Sequence, residues 1–191
     1  GTCTEYDWAQ GSCSESTTPL TPATLYGSCK NALREMLDAF SRENGLSSAW
    51  GRIFFVYGPG EHPDRLVSSV ICSLLRGESI PCSSGHQKRD FLFVEDVASA
   101  FVALLGSNVE CAVNIGSGVA VSVREIIETI SSKIGRSDLI RFGELPVSTN
   151  EPPVLTADVM RLRDEVRWFG RYSLCQGLDK TIKWWKDSLK E

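Results

Sequence analysis

A tyrosine and a lysine four residues apart could perform proton-transfer chemistry. Tyr26 and Lys30 lie within residues 24–44, where apolar residues recur at helical spacing. Positions i and i+4 lie one above the other on a helix, so both side chains can reach one ligand. A phenol holds its proton tightly at neutral pH, and a neighbouring ammonium favours the phenolate form. The pair therefore indicates proton transfer at an alcohol carbon, coupled to hydride transfer. The alternative is a surface lysine beside a half-buried tyrosine, because Y-x-x-x-K alone recurs by chance.

The segments that position this pair alternate between helical and strand patterns. This alternation predicts an α/β protein with at least part of a parallel sheet. Helices are predicted at residues 24–44, 63–76, 95–105, 122–133, 156–166 and 174–189, and strands at residues 48–57, 91–94, 111–115 and 139–142. Residues 7–23 are predicted to form a surface loop, and residues 146–153 a flexible one.

Composition and charge exclude several classes of partner. The chain has 191 residues, 42% of them hydrophobic and 23% charged, which is typical of a soluble globular protein with a core. Its net charge of −4 is spread over interleaved acids and bases, so we expect neither nucleic acid nor membrane as a partner. The apolar runs are too short to cross a bilayer. The seven cysteines are scattered without a C-x-x-C pair, which favours reduced thiols over disulfides or a metal site and indicates a cytoplasmic location.

Five segments in order carry a resemblance to a known family. The segments are Thr2 with the polar loop after it, Pro22-x-x-Leu25-Tyr26-Gly27-Ser28-x-Lys30, Arg52-Ile53-Phe54-Phe55-Val56-Tyr57-Gly58-Pro59-Gly60, Gly85-x-x-x-Arg89-Asp90-Phe91-x-x-Val94-x-Asp96, and Val113-Asn114-Ile115-Gly116-Ser117-Gly118. Together with a closing helix at residues 174–189, they resemble the extended short-chain dehydrogenase/reductases, the NAD-dependent nucleotide-sugar epimerase/dehydratase family. The resemblance covers essentially the whole chain. It implies the C-terminal part of a Rossmann-like doubly wound parallel sheet, together with a small α/β substrate-binding portion.

The resemblance implies roles for five residues. Thr2 would hydrogen-bond a sugar oxygen, Tyr26 would be the acid/base, and Lys30 would hold the nicotinamide ribose. Arg89 would bind the diphosphate of a nucleotide sugar, and Arg65 could face the same group. Each has a structural alternative: a strand-end threonine for Thr2, an ion pair with Asp90 or Asp96 for Arg89, and a solvated surface position for Arg65.

Three positions depart from the family pattern. Where dehydratases of this family carry an acidic pair, this chain has Cys3 and Thr4, which argues against 4,6-dehydration. Where many members carry a substrate-contacting asparagine, this chain has Phe55, so its sugar contacts must differ. Asn114-Ile115-Gly116 is interpreted as structural, and His62 and His86 as surface residues.

The largest departure concerns the cofactor. NAD or NADP binding in this family needs a glycine-rich turn after the first strand, and the chain has no G-x-x-G-x-x-G or G-x-G-x-x-G. The turn at Gly116-Ser117-Gly118 lacks the third glycine. We therefore expect a C-terminal part of a longer enzyme, with no cofactor bound by this chain alone and no activity of its own. Residues 1–60 would be the remaining Rossmann strands and catalytic helix, and residues 61–191 mainly the substrate-binding portion, with 91–118 returning to the sheet.

The sequence predicts an NAD(P)-dependent epimerase or reductase acting on nucleotide-diphosphate sugars. The rival is a non-catalytic module that binds a nucleotide sugar or a protein. Sheet edge and apolar surface left exposed would favour self-association, including a homodimer.

Overall fold

The computed structural model describes residues 1–147 and 152–190, and its strands are almost all parallel. The strands are β1 (Ser12–Cys13), β2 (Ala49–Ile53), β3 (Phe55–Tyr57), β4 (Ile80–Cys82), β5 (Lys88–Phe93), β6 (Cys111–Ile115), β7 (Ala120–Ser122), β8 (Ile140–Phe142) and β9 (Val154–Ala157). One sheet runs β1-β9-β5-β3, and β7 joins β5 as an antiparallel strand. β2 pairs with β6, and β4 pairs with β8. Parallel neighbours need crossover connections, which the helices supply.

Most of the long helices begin or end at a residue suited to that end. The helices are α1 (Leu25–Asn44), α2 (Leu66–Arg76), α3 (Val94–Leu105), α4 (Val123–Ile134), α5 (Met160–Asp164) and α6 (Leu174–Ser188). The side chains of Thr24, Ser122 and Ser173 cap α1, α4 and α6 by accepting a backbone N–H. α1 ends at Gly45, which takes the left-handed conformation that glycine adopts without strain.

Two buried apolar clusters lie on opposite sides of β5. Phe91 and Phe93 join Tyr57 in a cluster with the apolar faces of α2, α4 and α6. Leu92, which points the other way, joins the cluster formed by β6, β9 and α3. The same strand therefore contributes to both cores.

The structure confirms the α/β class and most predicted elements, with three corrections. The strand predicted at residues 48–57 is two strands, β2 and β3, which pair with β6 and β5 respectively. Residues 156–166 are not one helix: β9 takes up Val154–Ala157, and only Met160–Asp164 is helical. Parallel pairing of β9 with β5 and β1 overrides the helical spacing of the apolar residues there. Residues 7–23 are not simply a surface loop, because Cys13 is fully buried in β1. Of the predicted flexible loop at 146–153, residues 148–151 lie outside the described residues.

The apolar residues of α1 face outwards. Only Gly27 and Ser41 of this helix are buried, whereas Leu33, Met36 and Phe40 are exposed. These side chains share one side of the helix, since they lie three to four residues apart. The packed side of α1 is therefore its small and polar side, against the turn Cys3–Glu5.

The described residues form neither a helix that could cross a membrane nor a cluster of metal ligands. None of the helices in 1–147 and 152–190 is long and apolar enough to cross a membrane. Within the same residues, no three His, Cys, Asp or Glu side chains are grouped so that they could hold a metal ion.

Candidate functional site

One cleft of about 910 Å³ brings together four of the five predicted site residues. Thr2, Tyr26, Arg65 and Arg89 all line it, although they are up to 87 positions apart in the sequence. Lys30 lies beside the cleft, with its Nζ 5.7 Å from the centroid of the Tyr26 ring. The lining between these residues is largely apolar and includes the loop from Gly58 to Gly60.

Thr2 is held at the rim of the cleft by its own turn. It caps the short helix Cys3–Glu5, and its backbone N–H donates to Glu5 Oε1 at 2.8 Å. Its Oγ1 accepts hydrogen bonds from the Thr4 N–H at 3.4 Å and the Thr4 hydroxyl at 3.3 Å. Both bonds use the oxygen as acceptor, which leaves the hydroxyl proton of Thr2 to be donated to a ligand.

A buried ion pair fixes the turn that carries Thr2. Glu5 and Arg52 are 0% and 2% exposed, and Arg52 Nε donates to Glu5 Oε2 at 2.7 Å. Trp50 Nε1 also donates to the Glu5 carboxylate, at 3.1 Å to each oxygen. The second donor group of Arg52 reaches the Tyr6 hydroxyl at 3.0 Å, and that hydroxyl donates to Asn114 Oδ1 at 2.8 Å. The network joins the site turn to β2 and β6.

The close packing of α1 sets the position of Tyr26. A Cβ on Gly27 would lie 2.3 Å from the backbone oxygen of Thr4, so any other residue would separate the helix from the turn. Tyr26 immediately precedes this contact and stays more than half exposed at the cleft. Glycine is therefore required at position 27 by a close approach of two backbones.

Arg89 is buried rather than exposed. Its Nη1 donates to the backbone oxygens of Lys88 at 2.8 Å and Pro152 at 3.0 Å, and its guanidinium lies 5.8 Å from the centroid of the Phe55 ring. The alternative of an exposed ion pair with Asp90 or Asp96 is wrong. Asp90 accepts from the turn after β6, and Asp96 accepts from the N–H groups of Arg171 and Tyr172.

The loop after β3 brings further charged residues to the cleft. Arg65 lies just before α2, at its N-cap, rather than inside the predicted helix, and it is exposed. Glu61 accepts a hydrogen bond from the Ser68 hydroxyl at 2.7 Å, and burial raises the pKa of its carboxyl. His62 is exposed, as predicted, and its Nδ1 lies 3.7 Å from Asp64.

The residues at the position of a dehydratase acidic pair cannot replace it. Cys3 is buried, and burial raises the pKa of its thiol to about 12, so it stays protonated at neutral pH. Thr4 donates its hydroxyl proton to Thr2. Neither side chain can exchange a proton with a bound sugar in the way that a carboxylate does.

The described residues fit only one end of a dinucleotide. Tyr26 and Lys30 offer a hydroxyl and an ammonium, which suit the ribose next to a nicotinamide. The glycine turn after β6 does not suit the pyrophosphate, because the N–H groups of Ser117 and Gly118 donate to the Asp90 carboxylate at 2.7 and 2.9 Å. A side-chain carboxylate already takes the place that an anion would need.

Sequence reasoning missed three residues of the site. Glu5 gives no signal in the sequence, since its importance comes from a partner 47 positions away. Gly27 could be suspected only from the cost of glycine in a helix. Gln87, which also lines the cleft, lies two residues before Arg89 and just before β5, and only this closeness to Arg89 in the sequence could have drawn attention to it.

Comparisons with known proteins identify the family and the fold. The NAD dependent epimerase/dehydratase family matches residues 1–116. UDP-glucuronic acid decarboxylase 1 of Xenopus tropicalis is 30% identical over 175 residues. The structure of MoeE5 in complex with UDP-glucose and NAD is 32% identical and superposes with a TM-score of 0.87 over 99% of this chain. A UDP-N-acetylglucosamine 4-epimerase from Methanobrevibacter ruminantium M1 superposes with a TM-score of 0.91 over 98% of the chain; at 22% identity it is evidence for the fold alone.

The chain spans only part of these relatives. Its matched region is 90% of this chain but 41% of the decarboxylase, and it covers 64% of MoeE5 and 62% of the archaeal epimerase. The superpositions confirm the Rossmann-like α/β fold. The family match extends over more than half of the chain and includes Thr2, Tyr26, Lys30 and Arg89. The chain belongs to the NAD-dependent epimerase/dehydratase family.

Proposed function

We propose that this protein is the catalytic and substrate-binding part of an NAD(P)-dependent enzyme that epimerises or reduces nucleotide-diphosphate sugars. The observation that carries the proposal is the single cleft lined by Thr2, Tyr26, Arg65 and Arg89. It combines hydroxyl groups that suit a sugar with cations that suit a diphosphate. The relatives support the substrate class, since their names and complexes include UDP-glucuronic acid and UDP-glucose.

Each residue has a role that follows from its side-chain chemistry. Thr2 donates its hydroxyl proton to a sugar oxygen and so orients the reacting carbon. Tyr26 takes the proton of the sugar hydroxyl as the C–H bond gives up its hydride and the carbon becomes a ketone. Lys30, with its Nζ 5.7 Å from the centroid of the Tyr26 ring, adds a positive charge beside that proton transfer. NAD or NADP, when bound, supplies the acceptor or donor of the hydride.

We further propose that epimerisation or reduction is favoured over 4,6-dehydration. Elimination of water needs a group that removes the proton on carbon 5 of the sugar and a group that protonates the hydroxyl leaving carbon 6. The buried thiol of Cys3 and the hydroxyl of Thr4 are unsuited to this at neutral pH. An epimerase or a reductase needs only the tyrosine, the lysine and the hydride carrier.

One observation favours a second candidate, a module that binds a nucleotide sugar without chemistry. Asp90 satisfies the N–H groups of the turn after β6, so this chain offers no glycine turn for a pyrophosphate among its described residues. We propose accordingly that this chain alone binds a nucleotide sugar but not the dinucleotide. The same non-catalytic module could instead bind a partner protein.

Calorimetric titration of the purified chain tests both candidates. The ligands are NAD, NADP and the UDP-, dTDP-, GDP- and CDP-forms of glucose. Binding of a nucleotide sugar without binding of NAD or NADP is the expected result. Tight NAD binding would contradict the proposed lack of a cofactor site, whereas the absence of binding to every nucleotide sugar would contradict the proposed substrate class.

A further inference from the structure

Gln87 carries a buried acceptor with no donor. Its side-chain Oε1 is shielded from solvent and has no hydrogen-bond partner, the single such side-chain atom among the described residues. Native proteins pair nearly all of their buried polar atoms, so an exception calls for an explanation. Gln87 lines the same cleft as Thr2 and Arg89, so a small rotation of its side chain would bring this acceptor to a donor on a ligand.

Hydrogen bonds hold the backbone at Gln87 and so fix the position from which its side chain extends. Its carbonyl accepts the N–H of Val123, the first residue of α4, at 3.0 Å. The next residue, Lys88, begins β5 and donates its N–H to Pro153 at 2.8 Å. Gln87 immediately precedes β5, and both Gln87 and Arg89 line the cleft. Phe55, Phe91 and Val123 line the same cleft and have no polar side-chain group to offer.

The chemistry of the acceptor limits its ligand. A carbonyl oxygen needs an O–H or N–H, and the diphosphate itself carries only acceptors at neutral pH. The groups on either side of a diphosphate in a nucleotide sugar are the ribose and the hexose, and both carry hydroxyls. A neutral amide also accepts a hydroxyl proton without repelling the nearby phosphates.

We propose that Gln87 Oε1 accepts a hydrogen bond from a hydroxyl of the nucleotide sugar next to its diphosphate, and so acts as a specificity-determining residue. This inference rests on the proposed function, since it takes its ligand from it. Gln87 thereby selects for sugars that present a hydroxyl at that point. An analogue without the hydroxyl leaves the acceptor unpaired and binds less tightly.

The variant Gln87→Met tests the inference, because methionine keeps the length and apolar volume but removes the acceptor. The nucleoside diphosphate glucose that binds best to the wild-type chain, and the matching nucleoside diphosphate, are titrated into both proteins. A loss of about 10-fold in affinity is expected from one hydrogen bond. If the ribose supplies the hydroxyl, both ligands lose affinity; if the hexose supplies it, only the sugar nucleotide does. Gln10→Met, at an exposed glutamine outside the cleft, is the control.

A second measurement needs no ligand. Replacing an unpaired buried acceptor by an apolar group stabilises the folded chain, so Gln87→Met should raise the melting temperature by about 2–4 °C. Unchanged affinity of Gln87→Met for both ligands would overturn the inference and leave the proposed function intact. Failure of the wild-type chain to bind any nucleotide sugar would remove the proposed function and this inference with it.

Discussion

The charged side chains of the cleft are the residues whose substitution tests ligand binding most directly. Arg65 and Arg89 both line the cleft, but they differ in what holds them. Arg89 is buried and bonded to two backbone oxygens, whereas Arg65 is exposed at the N-cap of α2. Substitution of Arg89 would disturb the fold, so Arg65 gives the cleaner test of ligand contact.

Arg65→Ala should weaken binding of a nucleotide sugar by about 10-fold, the effect of losing one hydrogen bond to a charged group. Calorimetric titration measures it directly. Arg76→Ala provides the matched control, because Arg76 is exposed at the other end of α2 and does not line the cleft. Equal losses for the two variants would mean that only net charge matters.

The carboxyl of Glu61 should make stability depend on pH. Burial raises its pKa, so the folded chain holds this proton more tightly than the unfolded chain does. Its contribution to stability is therefore complete below the ordinary carboxyl pKa and is lost as pH rises through the raised value. Glu61→Gln keeps an acceptor for Ser68 but cannot ionise.

Urea denaturation between pH 4 and pH 7 would measure this effect. The free energy of unfolding of Glu61→Gln should rise relative to the wild type as the pH increases. Glu78→Gln, at an exposed glutamate, is the control. A difference between Glu61→Gln and the wild type that stays constant with pH would contradict the argument.

At the scale of elements, the contact between α1 and the turn Cys3–Glu5 depends on Gly27. Alanine is favoured over glycine in a helix by about 1 kcal/mol, yet its methyl group would lie 2.3 Å from the Thr4 oxygen. We expect Gly27→Ala to lower the free energy of unfolding by about 1–3 kcal/mol, as overpacking does. Ser28→Ala, next on the same helix and exposed, should be neutral or stabilising. Thermal unfolding of both variants would decide, and a gain in stability for Gly27→Ala would show that the contact can relax.

The ion pair between Glu5 and Arg52 joins the site turn to β2. Arg52→Met should cost about 3–5 kcal/mol, because it leaves a buried carboxylate without its cation. The double variant Glu5→Gln with Arg52→Met should recover part of that loss, since the amide is neutral. Urea denaturation of the single and double variants measures the difference. Equal stabilities would mean that the charge of Glu5 is not what makes the single variant unstable.

The sequence predicted where the helices and strands lie better than it predicted which distant residues they contact. Capping residues and glycines located α1, α2 and α4 to within a few residues, because these signals are local. The burial of Arg89 could not be foreseen, since its partners include a backbone oxygen 63 positions away. Likewise, β9 is strand only because β1 and β5 pair with it. Local signals in the sequence thus located the elements, and they gave no indication of pairing between distant segments.

At the scale of the whole molecule, the exposed apolar side chains of α1 form a surface that favours self-association. Met36 and Phe40 are 68% and 56% exposed on one side of the helix, together with Leu33. We predict that the chain self-associates at micromolar concentration, as light scattering would detect. Met36→Lys with Phe40→Lys should shift it towards the monomer.

The matched control places lysines on a different helix. Val102 and Leu105 of α3 are also exposed, so Val102→Lys with Leu105→Lys adds the same charge elsewhere. A monomeric wild-type chain would contradict the prediction of self-association. Equal effects of the two double variants would contradict the role of α1.

The alternation along β5 has a consequence for how the molecule loses its structure. Phe91 and Phe93 belong to one core and Leu92 to the other. Neither core can therefore lose β5 unless the other core loses it as well. We therefore expect the two cores to open together as one cooperative unit. A cleft built on that strand keeps its shape between binding events, so a ligand meets a preformed site and loses little affinity to ordering it.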